Sequence, residues 1–185
     1  QGLKSNWNYI DGVMIKAVLQ MYDVTKDEKY LKFADNFIDY RVHEDGTIDG
    51  YNIGEKNIDN VNAGKTLFEL YDLTGKEKYR KAIDLVYSQI EIMPRCNNEA
   101  RSFWHKDIYP NQVWLDGLYM GLPFYLEYET RYNDRKNYPD IFGQFKFVIE
   151  NMRNPVNGLY FHAMDTSREA FWCDKVTGLS QHSWL

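Results

Sequence analysis

YDVTKDEKYLKFA at residues 22–34 realigns with YDLTGKEKYRKAI at residues 71–83, Tyr on Tyr and Thr on Thr, a period of 49 residues. In each copy a helical apolar pattern (12–22 and 63–71) runs into a short turn holding Thr25 or Thr74. A second helical pattern then opens with mixed acids and bases ahead of Tyr30 or Tyr79. This predicts the same helical hairpin twice. A looser third copy starts at Leu115, passes through FYLEYETRYNDRKNY, and continues into a helix predicted at 141–152; GLSQHSWL at 178–185 reads as the entry to a fourth. One αα-hairpin cannot bury its apolar face without neighbours, so hairpins at a fixed spacing mean a solenoid or a closed ring. A ring of six at this period needs roughly twice the 185 residues present. The expected fold is therefore all-α, an (α/α)6 six-hairpin toroid, with residues 1–185 as the N-terminal half of a single barrel domain. Between the hairpins lie HEDGTIDGYNIGEKNIDNVNAG (43–64) and NPVNGLYFHAMDTS (154–167), rich in Gly, Asn and Asp. Segments of that composition predict turns and short strands, and their length points to function.

Composition narrows the class. With 44% hydrophobic and 16% aromatic residues the chain buries a sizeable core. A formal net charge of −5, with 22 Lys+Arg against 27 Asp+Glu and no basic run, gives no footprint for a phosphate backbone, so nucleic acid is not an expected partner. No segment approaches the roughly 18 apolar residues of a membrane span, and residues 1–10 have no signal-peptide core; no membrane partner and a cytoplasmic setting are expected. Cys96 and Cys173 have neither zinc nor CxxC spacing and read as two unpaired thiols. HExxH, the P-loop, GxSxG and GxGxxG are all absent. EDGTID lacks the ligand ladder of a calcium loop and reads as a turn.

The chemistry concentrates in SFWHKDIYPNQVWLDGLYM (102–120), which holds two Trp, two Tyr, a His, a Lys and two Asp. Rigid aromatics beside a few placed charges suit a sugar, whose C–H faces stack on indoles while its hydroxyls and carboxylate meet polar groups. Asp116 follows Trp114 and Leu115 at the head of an apolar run, LDGLYMGLPFYL, and is either an acid at the edge of a dry cavity or a helix cap.

Taken together, NWNYIDGVMIKA, IDNVNAGKTLFELYDLTGKEKY, FWHKDIYPNQVWLDGLYMGLPFYLEY, GLYFHAMD and the terminal HSWL resemble glycoside hydrolase family 105, the unsaturated rhamnogalacturonyl hydrolases. Family 88, the unsaturated glucuronyl hydrolases, is the near neighbour. The resemblance implies a six-hairpin catalytic barrel, a bacterial role in pectin breakdown and an oligosaccharide substrate ending in a 4,5-unsaturated uronic acid. It implies neither cofactor nor metal. Its partner would be the missing C-terminal half of the barrel.

That family does not use the two carboxyls of ordinary glycoside hydrolysis. The resemblance implies that Asp116 protonates C4 of the enol ether, that charge develops at C5 beside the ring oxygen, and that water adds there. The hemiketal opens and releases the aglycone, so one carboxyl serves as acid and then as base. The pocket must favour the protonated carboxyl, and Trp114, Trp104 and Asp59 are expected to do so by desolvation and like charge. Asp59 would also hold the water or a hydroxyl. His105 and Lys106 would meet the substrate carboxylate, His162 resembles a site histidine, and Trp184 a stacking indole. Trp7 and Tyr9 would line the cavity or pack in the core. His43 and His182 read as surface or outer residues. Two further readings stay open: an unsaturated glucuronyl hydrolase, and a carbohydrate-binding toroid without turnover.

Overall fold

A computed structural model describes residues 7–183. They form two compact units, one comprising the chain up to Gly54 with Asn60–Glu91, the other Glu55–Asp59 with everything from Ile92 onward.

The first unit carries two hairpins, α1 (Tyr9–Thr25) with α2 (Glu28–Asp39) and α3 (Lys65–Thr74) with α4 (Glu77–Ile92). The repeat in the sequence is a repeat of hydrogen bonds. Thr25 Oγ1 donates to Met21 O at 2.6 Å and Thr74 Oγ1 to Leu70 O at 2.7 Å, closing the first helix of each pair. Each helix then ends on a left-handed residue, Lys26 (φ 55°) or Gly75 (φ 67°), whose N–H donates to the carbonyl of Tyr22 or Tyr71. The same tyrosines reach across the turn to Glu28 and Glu77 with their hydroxyls, at 3.3 and 3.1 Å. Asn8 caps α1, accepting from Ile10 N and Asp11 N. Ile15, Leu19, Ile38, Leu67, Leu70, Ile83 and Val86 are buried in this unit. Gly12 of α1 lies against the turn that precedes α3, where an added Cβ would come within 2.7 Å of the Ala63 backbone.

The second unit holds β1 (Gln112–Trp114), α5 (Leu115–Tyr132), α6 (Tyr138–Asn151) and β2 (Ala163–Asp165). Thr130 Oγ1 donates to Leu126 O, so the third hairpin shares the threonine closure. Its turn is fastened differently: the carboxylate of Glu129, fully buried, accepts from Asn133 Nδ2, Asn137 N and Asn137 Nδ2. β1 and β2 pair antiparallel with Gln112 opposite Asp165 and Trp114 opposite Ala163. Behind them Cys96, Val113, Val148 and Met152 form a core joined by Trp104, Leu115, Leu118 and Tyr160. Ile58 packs onto α5 at Gly121, where a Cβ would come within 2.6 Å of its side chain.

The helices run longer than the apolar pattern alone suggested: α1 spans 9–25 rather than 12–22, and α6 starts at Tyr138 rather than 141 because Pro139 is tolerated in a first turn. Residues 178–183, the described part of the segment expected to enter a fourth hairpin, are extended. Gly178 turns at φ 80°, and the segment then pairs as extended backbone, Leu179 with Met164 and Ser183 with Phe161. Ladder pairing takes the backbone groups a helix would need. EDGTID is a turn, with Thr47 N and Oγ1 donating to Asp45 Oδ1. Cys96 and Cys173 are both free and buried, and burial pushes the Cys96 thiol up to about 12.

Candidate active site

β1 leads without a loop into α5, and this junction positions the acid. Trp114 is extended (φ −117°, ψ 145°) and stands at the cap position, which puts Asp116 in the first turn of α5. No side chain caps this helix, so Asp116 is not an N-cap. Leu115 N donates to His162 O at 3.0 Å, continuing the β1–β2 pairing and bringing the next strand's histidine over the helix start. His162 Nδ1 then lies 3.5 Å from Asp116 Oδ2. Among the described residues that oxygen has no hydrogen-bond partner, although it is shielded from solvent.

Trp114 organises the surroundings. Its ring stacks on His105 (centroids 4.5 Å apart, 2° between planes) and on Tyr109 (5.3 Å, 7°), and His162 tilts against it at 5.2 Å. Its indole N–H donates to Gln112 Oε1 at 3.0 Å, which fixes the ring. Burial holds the His162 imidazole below the usual histidine value; the Asp116 carboxylate pulls the other way, and His182 and His105 add to the lowering. His162 is therefore neutral at neutral pH and able either to accept a proton or to donate its own.

Asp59 and His105, both buried, form one cluster with the half-buried Lys106. Asp59 Oδ2 lies 2.9 Å from Lys106 Nζ and Oδ1 3.3 Å from His105 Nε2. Backbone pairing sets it up: Ile58 N donates to His105 O, and Asn57 bridges to Lys106. Burial works against the Asp59 charge, but the hydrogen bonds and charges of His105 and Lys106 outweigh it and hold the carboxyl below the usual range. Asp59 is an ionised acceptor, not a proton source. Gly117 makes room for His105, whose Nδ1 would be 3.2 Å from a Cβ there.

A cavity of about 360 Å³ opens beside this assembly, lined by Trp114, His162, Phe171, Trp172, Gln181 and His182 among others. Phe171 and Trp172 ride on a turn fixed by Asp165, whose carboxylate accepts from Ser167 N, Glu169 N and Ala170 N. Burial opposes the Asp165 charge, and these donors with the Ser167 hydroxyl overcome it, holding the carboxyl low.

The family model of Glycosyl Hydrolase Family 88 matches residues 2–185. The chain belongs to this family. Within family 88 and its relatives, the chain is 44% identical to a family 105 glycoside hydrolase structure from C. acetobutylicum ATCC 824, with a TM-score of 0.93 over 99% of this chain and 50% of that one. It is 27% identical to the unsaturated rhamnogalacturonyl hydrolase YesR of Bacillus subtilis (strain 168), over 88% of this chain and 46% of that protein. A possible family 105 member from Salmonella enterica shares the fold at 21% identity and a TM-score of 0.73, over 86% of this chain and 41% of that one. The chain thus spans about half the length of the relatives it matches. The fold class read from the repeat, all-α and one half of an (α/α)6 hairpin barrel, stands.

Of the residues singled out in this family 88 chain, Asp116, Asp59, His105, Lys106, Trp114 and His162 come together in the second unit. Trp104 packs into the apolar core instead, and its indole N–H has no hydrogen-bond partner among the described residues. Trp7 is 1% exposed and donates its indole N–H to Asn60 O, so it packs in the core of the first unit and presents no face to a ligand. Tyr9 is 42% exposed in the first turn of α1. Trp184 lies outside the described residues. Sequence reasoning missed Trp172 and Phe171 and left His182 aside, although His182 stacks on His162 at 5.7 Å and 15°. Their one sequence signal was the length of the segment from residue 154 onward. His43 is a surface residue, 2.8 Å from Asp49.

Proposed function

We propose that this chain forms the first half of a catalytic barrel that hydrates the C4=C5 double bond of an unsaturated uronyl residue, releasing it from the non-reducing end of lyase-generated oligosaccharides. The observation that carries the reading is the shielded Asp116 oxygen, without a hydrogen-bond partner among the described residues and 3.5 Å from His162 Nδ1. Asp116 donates its proton to C4; the cation at C5 is relieved by the ring oxygen; water adds at C5 and loses a proton to the carboxylate. The hemiketal then opens, and the C1–O bond to the aglycone breaks. His162 keeps the proton near Asp116 Oδ2, since a neutral imidazole shares it without repelling it. The Asp59–His105–Lys106 cluster offers a fixed anion to a sugar hydroxyl or to the water.

Unsaturated galacturonate from rhamnogalacturonan is the first substrate, supported by similarity to YesR, itself an unsaturated rhamnogalacturonyl hydrolase. The family 88 match supports unsaturated glucuronyl oligosaccharides as the second. The test is loss of the ultraviolet absorbance of the conjugated double bond when full-length protein meets lyase-digested rhamnogalacturonan. Loss with wild type and not with Asp116→Asn supports the reading. Loss only on unsaturated glucuronyl disaccharides moves the substrate, and binding without loss on either favours a carbohydrate-binding protein.

A further inference from the structure

We propose that one buried water occupies a small cavity against Trp114, accepting from the indole N–H of Trp104 and donating to His105 Nδ1, and that Trp104 is thereby a positioning residue for the Asp59–His105–Lys106 cluster. The effect on turnover rests on the proposed reaction; the water itself does not.

Trp104 and His105 both line this cavity, and each has a buried ring nitrogen without a hydrogen-bond partner among the described residues, Nε1 of the indole and Nδ1 of the imidazole. The two are complementary. An indole N–H only donates. His105 turns Nε2 toward Asp59 Oδ1 at 3.3 Å, so in the neutral ring Nε2 carries the proton and Nδ1 is left as an acceptor. A donor and an acceptor on one enclosed space are what a bridging water answers, taking a hydrogen from the first and giving one to the second. Gln144, a third polar wall, is already engaged: its Oε1 accepts from Phe103 N at 3.0 Å and its Nε2 donates to Asp140 Oδ1 at 3.3 Å.

The cavity measures about 10 Å³, which admits a single water and no sugar ring. Cavities lined throughout by carbon stay dry, whereas polar walls hold water. Ile58, Phe103, His105, Val113, Leu122 and Gln144 are each no more than 4% exposed, so these walls do not depend on a further stretch of chain for their burial.

The water decides which nitrogen of His105 is bare. While Nδ1 receives a hydrogen from it, the Nε2 proton stays on the Asp59 side and the ring stays flat on Trp114. The other tautomer would set a lone pair against the Asp59 carboxylate, loosening the acid that Lys106 also holds. Trp104 packs in the apolar core and acts on the cluster only through this water.

Nitrogen NMR of full-length protein with labelled histidine reads the tautomer, the His105 signals being those lost in His105→Gln. At neutral pH we expect a protonated Nε2 and a bare Nδ1 in the wild type, and a mixture of tautomers in Trp104→Phe, which keeps an apolar ring and removes the donor. A crystal structure of the full-length protein that shows ordered waters should place one within hydrogen-bond distance of both ring nitrogens. A cavity without such a water, a wild-type ring protonated at Nδ1, or an unchanged tautomer in Trp104→Phe overturns the inference. If that variant does not fold, the two wild-type measurements still decide. A folded Trp104→Phe should also lose about tenfold in kcat/KM on the unsaturated substrate. A mixed tautomer with undiminished kcat/KM removes the positioning role. The water and the tautomer are read without substrate, so finding both in a protein that leaves the double bond intact keeps the water and drops the reaction; hydration by a protein with a dry cavity does the reverse.

Discussion

His162 Nδ1 and Asp116 Oδ2 stand 3.5 Å apart, close enough to feel each other's charge and too far for a good hydrogen bond. A shorter contact would tie the carboxyl to the imidazole. This one leaves an oxygen directed at a reactant while a neutral ring waits beside it. The distance follows from strand pairing, because beyond the Trp114–Ala163 pair Leu115 N donates to His162 O, and Asp116 is the next residue along α5.

Asp116→Asn removes the proton while preserving the shape. We expect kcat/KM for the unsaturated substrate to fall by about 10²–10⁴. Thermal stability should hardly change, since no side-chain cap bond is lost. A loss of less than about tenfold would move the acid elsewhere.

The imidazole of His162 is held low by burial and raised in part by the Asp116 carboxylate. Its NMR titration should fall below the ordinary ~6.5, and Asp116→Asn should lower it further by removing the anion. A depressed histidine contributes stability that is complete above the unfolded value and lost as pH falls through the folded one. Activity should therefore decline on the acid side, below ~6.5, as the ring becomes cationic.

Lys106→Met leaves Asp59 with His105 as its partner from the pair. Stability at neutral pH should drop by about 1–3 kcal/mol, between the values for exposed and buried pairs. The Asp59 carboxyl is depressed, so its contribution is present above the unfolded ~3.9 and disappears as pH falls through the folded value. Melting temperatures of wild type and variant should thus converge as the pH falls through the folded value, below the unfolded ~3.9. A gap that persists there would mean the lysine acts through packing.

Two positions in the hairpins test the fold. Lys26 occupies a left-handed position that Gly75 fills in the second copy. Lys26→Gly should raise the melting temperature by about 1–3 °C. Gly12→Ala should do the reverse, at about 2–3 kcal/mol, because its Cβ meets the Ala63 backbone, which cannot swing aside as a side chain would. Denaturant unfolding measures both.

The hairpins were legible because their signals are local: Thr25 and Thr74 close helices within four residues, and a period of 49 repeats the closure. The Asp116 neighbourhood was legible only through the density of Trp, His and Lys around it. Trp7 shows the limit. An indole before a helix looks the same in sequence whether it meets a sugar or a carbonyl, and here it found Asn60 O across 53 residues. Trp172 was invisible for the opposite reason, since what presents it is a carboxylate accepting backbone N–H groups, and Asp165 carries no mark of that in composition. The pairing of residues 178–183 was not legible, because nothing local reveals the strand edges at Phe161 and Met164 that they meet.

The absence of a loop between β1 and α5 sets an angular standard for the whole site. With 3.6 residues to a turn, each residue added or removed at the junction would rotate Asp116 by about 100° about the helix axis. The ladder on one side and the Gly121 contact with Ile58 on the other prevent the helix from turning back. Length changes can accumulate in the outer turns of the hairpins, whereas between Gln112 and Gly121 a single codon gained or lost would aim the carboxyl at a different neighbour.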